Sequence, residues 1–181
     1  VLAIGAASIP AAWFYTGGTR PYGYAGLGEV FVFIFFGLAA ATGTELVQTG
    51  GISAATWWLG SGQGLLASAV LMANNLRDVS TDIDHGKRTL AVQLGEQRAR
   101  IAYTLIVTSA ALSLGVGCAQ FTSVQAALVV LVAALLGAFP LARTVLRGAQ
   151  GRDLVRVLAG TGRLALLLSL LVVAVAIGTS W

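Results

Sequence analysis

An all-α, multi-pass transmembrane bundle of six spans is the fold class this 181-residue chain predicts. Three observations lead there. Apolar residues make up 57% of the chain and charged residues only 10%, against about 25% charged in soluble domains, and the mean hydropathy is +0.85. Six apolar stretches recur along the chain. All eleven basic residues fall on one side once those stretches are taken to cross a bilayer in alternation.

The stretches are 1–16, 27–47, 52–74, 101–121, 124–142 and 164–179. Most approach the roughly 20 residues that cross about 30 Å of hydrocarbon as a helix. A soluble helical bundle would need polar faces, and these runs lack them. The first stretch begins at Val1, with no charged leader and no small-residue cleavage site. It reads as a clipped span, so residues 1–181 are expected to be the C-terminal portion of a longer protein, in a single membrane domain. Only Thr122 and Ser123 separate the fourth and fifth stretches, which implies a tight hairpin. No internal repeat or domain linker interrupts the series.

Charge then gives orientation. Segments 17–26, 75–100 and 143–163 hold Arg20, then Arg77, Lys87, Arg88, Arg98 and Arg100, then Arg143, Arg147, Arg152, Arg156 and Arg163. The positive-inside rule makes these segments cytoplasmic. Trp57, Trp58 and Trp181 fall near the opposite ends of their spans and Trp13 near the basic end, as an interfacial belt requires. Gly60 and Gly64 have the spacing of a helix-packing contact. The run 143–156 reads as an orientation signal beside anionic lipid, and Cys118 as a small packing residue. A pI near 9.8 does not indicate nucleic acid, because the charges form no basic face interleaved with aromatics.

One stretch departs from this pattern. Residues 74–95, NNLRDVSTDIDHGKRTLAVQLG, carry three of the seven carboxylates, three basic residues and the single histidine, directly after an apolar run. Such a cluster at a membrane edge is costly in solvation, which marks it for chemistry. If the helix out of residue 52 continues past Asn75, then Asn74, Asp78 and Asp82 recur every fourth residue on one face. Stacked carboxylates repel unless a cation sits between them. Oxygen ligands without thiolate suit a hard ion, Mg2+ where phosphate completes the shell. Gly86, Lys87 and Arg88 then supply a hinge and two cations for phosphate oxygens. The plainer alternative is a solvated connecting loop whose Asp and Arg side chains pair with each other. His85 lacks the partners of a zinc site, and Asp84 lies off the Asp78/Asp82 face.

The stretch resembles the second aspartate-rich motif of the UbiA superfamily of intramembrane prenyltransferases. It is most similar to the branch acting on 1,4-dihydroxy-2-naphthoate in menaquinone synthesis. Residues 15–29, YTGGTRPYGYAGLGE, are similar to that branch's loop before the next span. The resemblance implies transfer of a polyprenyl group from polyprenyl diphosphate to the aromatic acceptor, with decarboxylation, in a bacterial plasma membrane with the site on the cytoplasmic side. It implies Asp78 and Asp82 as Mg2+ ligands, with Asn74 and Asn75 beside them. Arg20, Arg77, Lys87 and Arg88 are expected to face the diphosphate, and Tyr15, Tyr22 and Glu29 the acceptor. Arg20 stands where the family usually has lysine, and the planar guanidinium changes the contact geometry. Family members have nine spans and two aspartate-rich motifs. These six spans correspond to the fourth through ninth, the first motif is missing, and the polypeptide alone is expected to be inactive.

Other readings stay open on the residues. A different ring, 4-hydroxybenzoate or homogentisate, is one. A transporter would call for charged residues near mid-span or paired broken helices. A non-catalytic scaffold would tolerate loss of both aspartates. Phosphotransferases of lipid alcohols use aspartate clusters too, but in a longer DG-containing pattern that is not found here.

Overall fold

The computed structural model describes residues 2–18 and 21–178. Among these residues every regular element is helical. Helix α1 covers Leu2–Thr16, and a 3-10 turn at Tyr22–Ala25 leads into α2, Gly28–Thr49. Helix α3 is Ala54–Arg77. Two short helices, α4 at Val79–Asp84 and α5 at Leu90–Leu94, carry the aspartate-rich stretch. Three long helices finish the chain: α6 at Glu96–Ala119, α7 at Val124–Leu146 and α8 at Gly151–Gly178.

The multi-pass helical class stands. Helices α2, α6, α7 and α8 are long and apolar enough to cross a membrane. The other two expected spans differ from them for separate reasons. Helix α1 has only 15 residues. Helix α3 has 24 but is the central element of the bundle, packed against α2, α6 and α8. A helix surrounded by protein does not need an apolar surface on every side. Its polar side chains find partners instead: Gln63 Nε2 donates to Ser169 Oγ at 3.0 Å, and Ser68 Oγ donates to the Glu29 carbonyl at 2.9 Å.

Small residues let the helices approach. A Cβ at Gly37 would lie 2.6 Å from both the Gly60 carbonyl oxygen and the Gly64 Cα. The glycine pair on α3 is therefore the packing contact its spacing predicts, and its partner is a third glycine on α2. Around this crossing α2 opens into a π-helical segment, Phe33–Ala39. Gly62 admits Leu114 of α6, and Gly117 admits Leu59. Tyr103 and Thr161, both fully buried, share a 2.7 Å hydrogen bond between α6 and α8. Cys118 is buried, as a packing residue should be.

The outer surface is apolar. Phe36, Leu136 and Phe139 are 73%, 69% and 65% exposed, which suits a hydrocarbon surround and not water. Trp13, Trp57 and Trp58 are exposed as well, while Trp181 lies outside the described residues.

The basic segments meet at one end, joined by hydrogen bonds. The Arg88 amide donates to the Tyr24 carbonyl at 2.9 Å. Gln93 Nε2 donates to the Ala25 carbonyl at 2.9 Å. Arg100, only 4% exposed, donates to the carbonyls of Val145 and Ala149 at 2.9 and 2.8 Å. At the opposite end Glu45 Oε2 accepts from the Ser53 amide at 2.8 Å, and the short 120–123 turn closes the expected hairpin. Two boundaries are corrected. Helix α6 begins at Glu96, before residue 101, and α8 at Gly151, well before residue 164. Apolarity marks only where a helix meets lipid. The charged turn that begins α8 is helical too, with Arg156 and Asp153 paired at 3.0 Å.

Replacing Gly37 by alanine should destabilise the bundle by about 1–3 kcal/mol, since the added Cβ meets backbone that cannot move aside. Gly43→Ala on the same helix meets nothing within 4 Å and should be neutral or stabilising. Thermal unfolding of both variants in one detergent checks the pair, and an equal response would contradict the packing account.

Candidate functional site

The aspartate-rich stretch is not one continuous helix. Helix α3 ends at Arg77, and Asp78 turns at φ −97°, ψ 8° before α4 begins. The helix out of residue 52 does continue past Asn75, but it breaks at Asp78 before Asp82 is reached. The expected grouping survives the break: the Asp78 amide still donates to the Asn74 carbonyl at 3.1 Å and the Asp82 amide to the Asp78 carbonyl at 2.8 Å. The four-residue spacing is kept, and Asn74, Asn75, Asp78 and Asp82 all line one small cavity of about 90 Å³.

Chain reversal after α4 brings the cations back. Gly86, at φ +68°, takes the left-handed conformation that ends a helix, and the Lys87 amide donates to the Asp82 carbonyl at 2.8 Å. Lys87 thus returns its ammonium to Asp82, with Nζ 3.4 Å from Oδ1. The same ammonium sits 5.0 Å from the centroid of the Tyr24 ring, a cation–π contact that holds it at the mouth. Asp82 is 5% exposed and also lies 3.5 Å from the Thr89 hydroxyl.

Asp78 is engaged differently. Arg77 grips it with two parallel bonds of 2.7 Å, Nε to Oδ1 and Nη2 to Oδ2. Asn74 Nδ2 adds a 3.4 Å contact to Oδ2. The hydrogen bonds to Asp78 push the Arg77 pKa up, with burial opposing and charge attraction adding. Pairing within the stretch, the plainer alternative raised by the sequence, is thus present. Asp78 and Asp82 nevertheless line a shared cavity, Asp82 buried and Asp78 partly exposed.

Behind the cavity Glu29 is 5% exposed. Its Oε1 accepts from Asn75 Nδ2 at 2.9 Å, and its Oε2 is buried with no hydrogen-bond partner among the described residues. Glu29 therefore positions Asn75 and does not itself line the cavity. Tyr15, Gly23 and Tyr24 complete the wall on the side of the 15–29 segment, and Lys87 and Thr89 on the other. Tyr15 also lines a second, apolar cavity of about 520 Å³ between α1 and α2, with Ser8, Ala11, Ala12, Phe31, Val32, Phe35 and Phe36. Phe31 and Phe35 stack there, centroids 6.0 Å apart.

Several expected residues are placed elsewhere. Arg88 is exposed, and its side chain is not part of the cavity wall; its backbone is the functional part, bonding Tyr24 and Gln93. Arg20 lies outside the described residues, as does the Tyr22 side chain. His85, exposed, bonds only the Thr81 carbonyl through Nδ1 at 2.7 Å, and Asp84 is exposed. Among the described residues no group of three or more His, Cys, Asp or Glu gathers around a common centre.

Two residues were not anticipated. Thr89, a buried hydroxyl opposite Asp82, follows the GKR run and gives no signal apart from its place at the start of α5. Gln93 ties the two loops together through the Ala25 and Arg88 carbonyls, at 2.9 and 2.7 Å.

Replacing Gln93 by alanine removes both bonds, each worth about 1 kcal/mol. Hydrogen exchange at the Arg88 amide, which donates across the same junction, should accelerate about tenfold or more. Unchanged protection would mean that the loops are held together by something else.

Comparison with known proteins places these features in context. A family model described as "UbiA prenyltransferase family" matches residues 1–156. The chain is 44% identical to the 1,4-dihydroxy-2-naphthoate octaprenyltransferase of Mycobacterium tuberculosis, over 96% of this chain and 58% of that one. It is 42% identical to the Mycobacterium leprae protein of the same name, over 90% and 54%. Identity to the Escherichia coli protein of that name is 48%, over 55% and 32%. The chain thus spans a little over half the length of the mycobacterial relatives. No solved structure matches it.

Proposed function

The chain belongs to the UbiA prenyltransferase family, so it is an integral membrane protein of a prenyltransferase type; from that premise we propose that the cavity at Asp78 and Asp82 holds the diphosphate of a polyprenyl donor for transfer to 1,4-dihydroxy-2-naphthoate, giving a demethylmenaquinol. The observation that carries this reading is the position of Tyr15, which belongs to both the small polar cavity and the large apolar one. A polar pocket opening beside a hydrocarbon-lined one matches an amphiphile with a charged head and an isoprenoid tail. The 42–48% identity to proteins named for this acceptor favours the naphthoate.

The donor atoms fit a hard cation. Two aspartates, two asparagines and the hydroxyl-bearing Thr89, Tyr15 and Tyr24 line the polar cavity with Lys87, and no thiol or imidazole is among its lining residues. Mg2+ is commonly held by one or two carboxylates while phosphate oxygens and water complete its shell. In this reading Asp78 and Asp82 would hold it, with Asn74 and Asn75 alongside, and it would neutralise charge on the departing diphosphate.

The chain's own groups account for the remainder. Lys87 lines the cavity and Arg77 is paired with its Asp78, so an incoming diphosphate offers them acceptors of greater charge than a single carboxylate. Arg20 and Arg88 are proposed to add positive charge that attracts the diphosphate. As the allylic C–O bond breaks, negative charge develops on the leaving oxygen, which these preorganised cations stabilise. The allylic cation is shielded from water by the aromatic wall of Phe31 and Phe35, whose ring faces favour positive charge. A ring carbon of the acceptor then bonds to the allylic carbon and loses its proton, while the acceptor's carboxylate leaves as carbon dioxide and the carbon it leaves takes up a proton. Tyr15 and Tyr22 are proposed to orient that ring, with Glu29 acting through Asn75. The basic end of the bundle, and with it the cavity, is proposed to face the cytoplasm of a bacterial plasma membrane.

The test is a membrane assay of the full-length protein with polyprenyl diphosphate and three acceptors: 1,4-dihydroxy-2-naphthoate, 4-hydroxybenzoate and homogentisate. Product is expected from the naphthoate alone, lost on chelation of divalent metal. Asp82→Asn should lower the rate at least about a hundredfold while helicity is retained. Exclusive use of hydroxybenzoate would move the acceptor assignment, and full activity of Asp78→Asn/Asp82→Asn would overturn the site. The same reading expects no turnover from purified residues 1–181, because the family resemblance gives the diphosphate a second aspartate-rich grip.

A further inference from the structure

A third cavity, unconnected with the chemistry above, lies on the outer side of α6 and α7. It is a groove of about 610 Å³ lined by Thr104 and Thr108 of α6 and, on α7, by Leu135, Ala138, Phe139, Ala142 and Leu146, with Arg143 and Arg147 at its mouth. From Leu135 to Arg147 it runs about 18 Å at 1.5 Å per residue, a little more than half of a hydrocarbon core of about 30 Å. That is the depth of one leaflet.

The two arginines are one helical turn apart on an exposed face. Among the described residues neither is engaged by a carboxylate, in contrast with Arg77, Arg100 and Arg156. Like charges four residues apart on a helix repel, and an anion between them removes that repulsion. The α7 C-terminus welcomes positive charge, and the orientation rule places basic residues at this end. Neither rule calls for an apolar groove leading away from the pair. A soluble anion leaves that groove unfilled, while a zwitterionic lipid fills it without matching a purely cationic mouth.

We propose that the α6/α7 groove binds one anionic phospholipid, its phosphate held by Arg143 and Arg147 and one acyl chain lying along Leu135, Ala138 and Phe139. The site faces the leaflet at the basic end of the bundle, where anionic headgroups attract such residues. It is separate from the Asp78/Asp82 cavity, and its occupancy does not depend on prenyl transfer.

The test is native mass spectrometry of the full chain in neutral detergent. The protein is titrated with phosphatidylglycerol or phosphatidylcholine of identical acyl chains, with glycerol 3-phosphate as a soluble competitor. One phosphatidylglycerol should be retained in preference to phosphatidylcholine and should not be displaced by glycerol 3-phosphate. Arg143→Gln/Arg147→Gln should weaken that retention roughly thirtyfold, from about 1 kcal/mol per basic residue near an anionic surface. Arg152→Gln/Arg163→Gln removes the same charge from α8 and should change retention less than about threefold. Equal retention of the two lipids, an equal loss in both double variants, or displacement by glycerol 3-phosphate would each overturn the proposal.

Discussion

A charge at the edge of a lipid-embedded bundle must be matched within the chain, and that constraint shapes the mouth of this one. Asp78 and Asp82 lie next to elements whose outer faces are hydrocarbon. Each has a basic partner within five residues: Arg77 with two 2.7 Å bonds, and Lys87 at 3.4 Å with the Tyr24 ring beneath it. These pairs are partly open to solvent, and their value lies less in stability, which is modest for such pairs, than in position. They hold two carboxylates, the Lys87 ammonium and two amides around a cavity of about 90 Å³, with Arg77 balancing Asp78 before any ligand arrives.

The cavity is placed by the packing below it. Three glycines, Gly37, Gly60 and Gly64, bring α2 and α3 to backbone contact. That approach lets Ser68 reach the Glu29 carbonyl and Asn75 reach the Glu29 carboxylate. The start of α2, and the 15–29 segment that leads into it, is thereby set against the end of α3. Tyr15 consequently stands at the boundary between a polar and an apolar cavity. A fault in the glycine seam would shift Asn75 and Tyr15 together, so packing and site are one problem.

Much of this was legible from residue pattern. Alternating spans and one-sided basic residues describe the bundle, and hydrogen bonds from Arg88, Gln93 and Arg100 join the three basic segments at one end. The four-residue spacing of Asn74, Asp78 and Asp82 correctly groups them. What spacing did not reveal is the turn at Asp78, because its amide hydrogen bonds run in helical register on both sides and only the local backbone angles differ. Hydropathy misplaced the starts of α6 and α8 for a plain reason: a helix continues past the membrane edge with Glu96, Arg152 and Asp153 as readily as with leucine. Nor does pattern show that α3 is the central helix, packed against α2, α6 and α8, since nothing local tells a residue that its neighbours are other helices. Thr89 and Gln93 were missed because their partners are 7 and 68 residues away, and one is a carbonyl with no side-chain signature. Arg88 shows the converse: its side chain suggested phosphate, whereas its backbone makes the contacts seen.

The central claim is that the diphosphate of a polyprenyl donor sits between Asp78, Asp82 and Lys87, with its chain passing Tyr15 toward Phe31 and Phe35. The most direct measurement is a structure of the full-length protein with Mg2+ and a non-reactive thio-analogue of the polyprenyl diphosphate. The account expects metal–oxygen distances of about 2.1 Å to carboxylates of Asp78 and Asp82, phosphate oxygens against Lys87, and isoprene units in the α1/α2 cavity. A diphosphate bound elsewhere, with Arg77 still gripping Asp78 and the isoprene units outside that cavity, would contradict it.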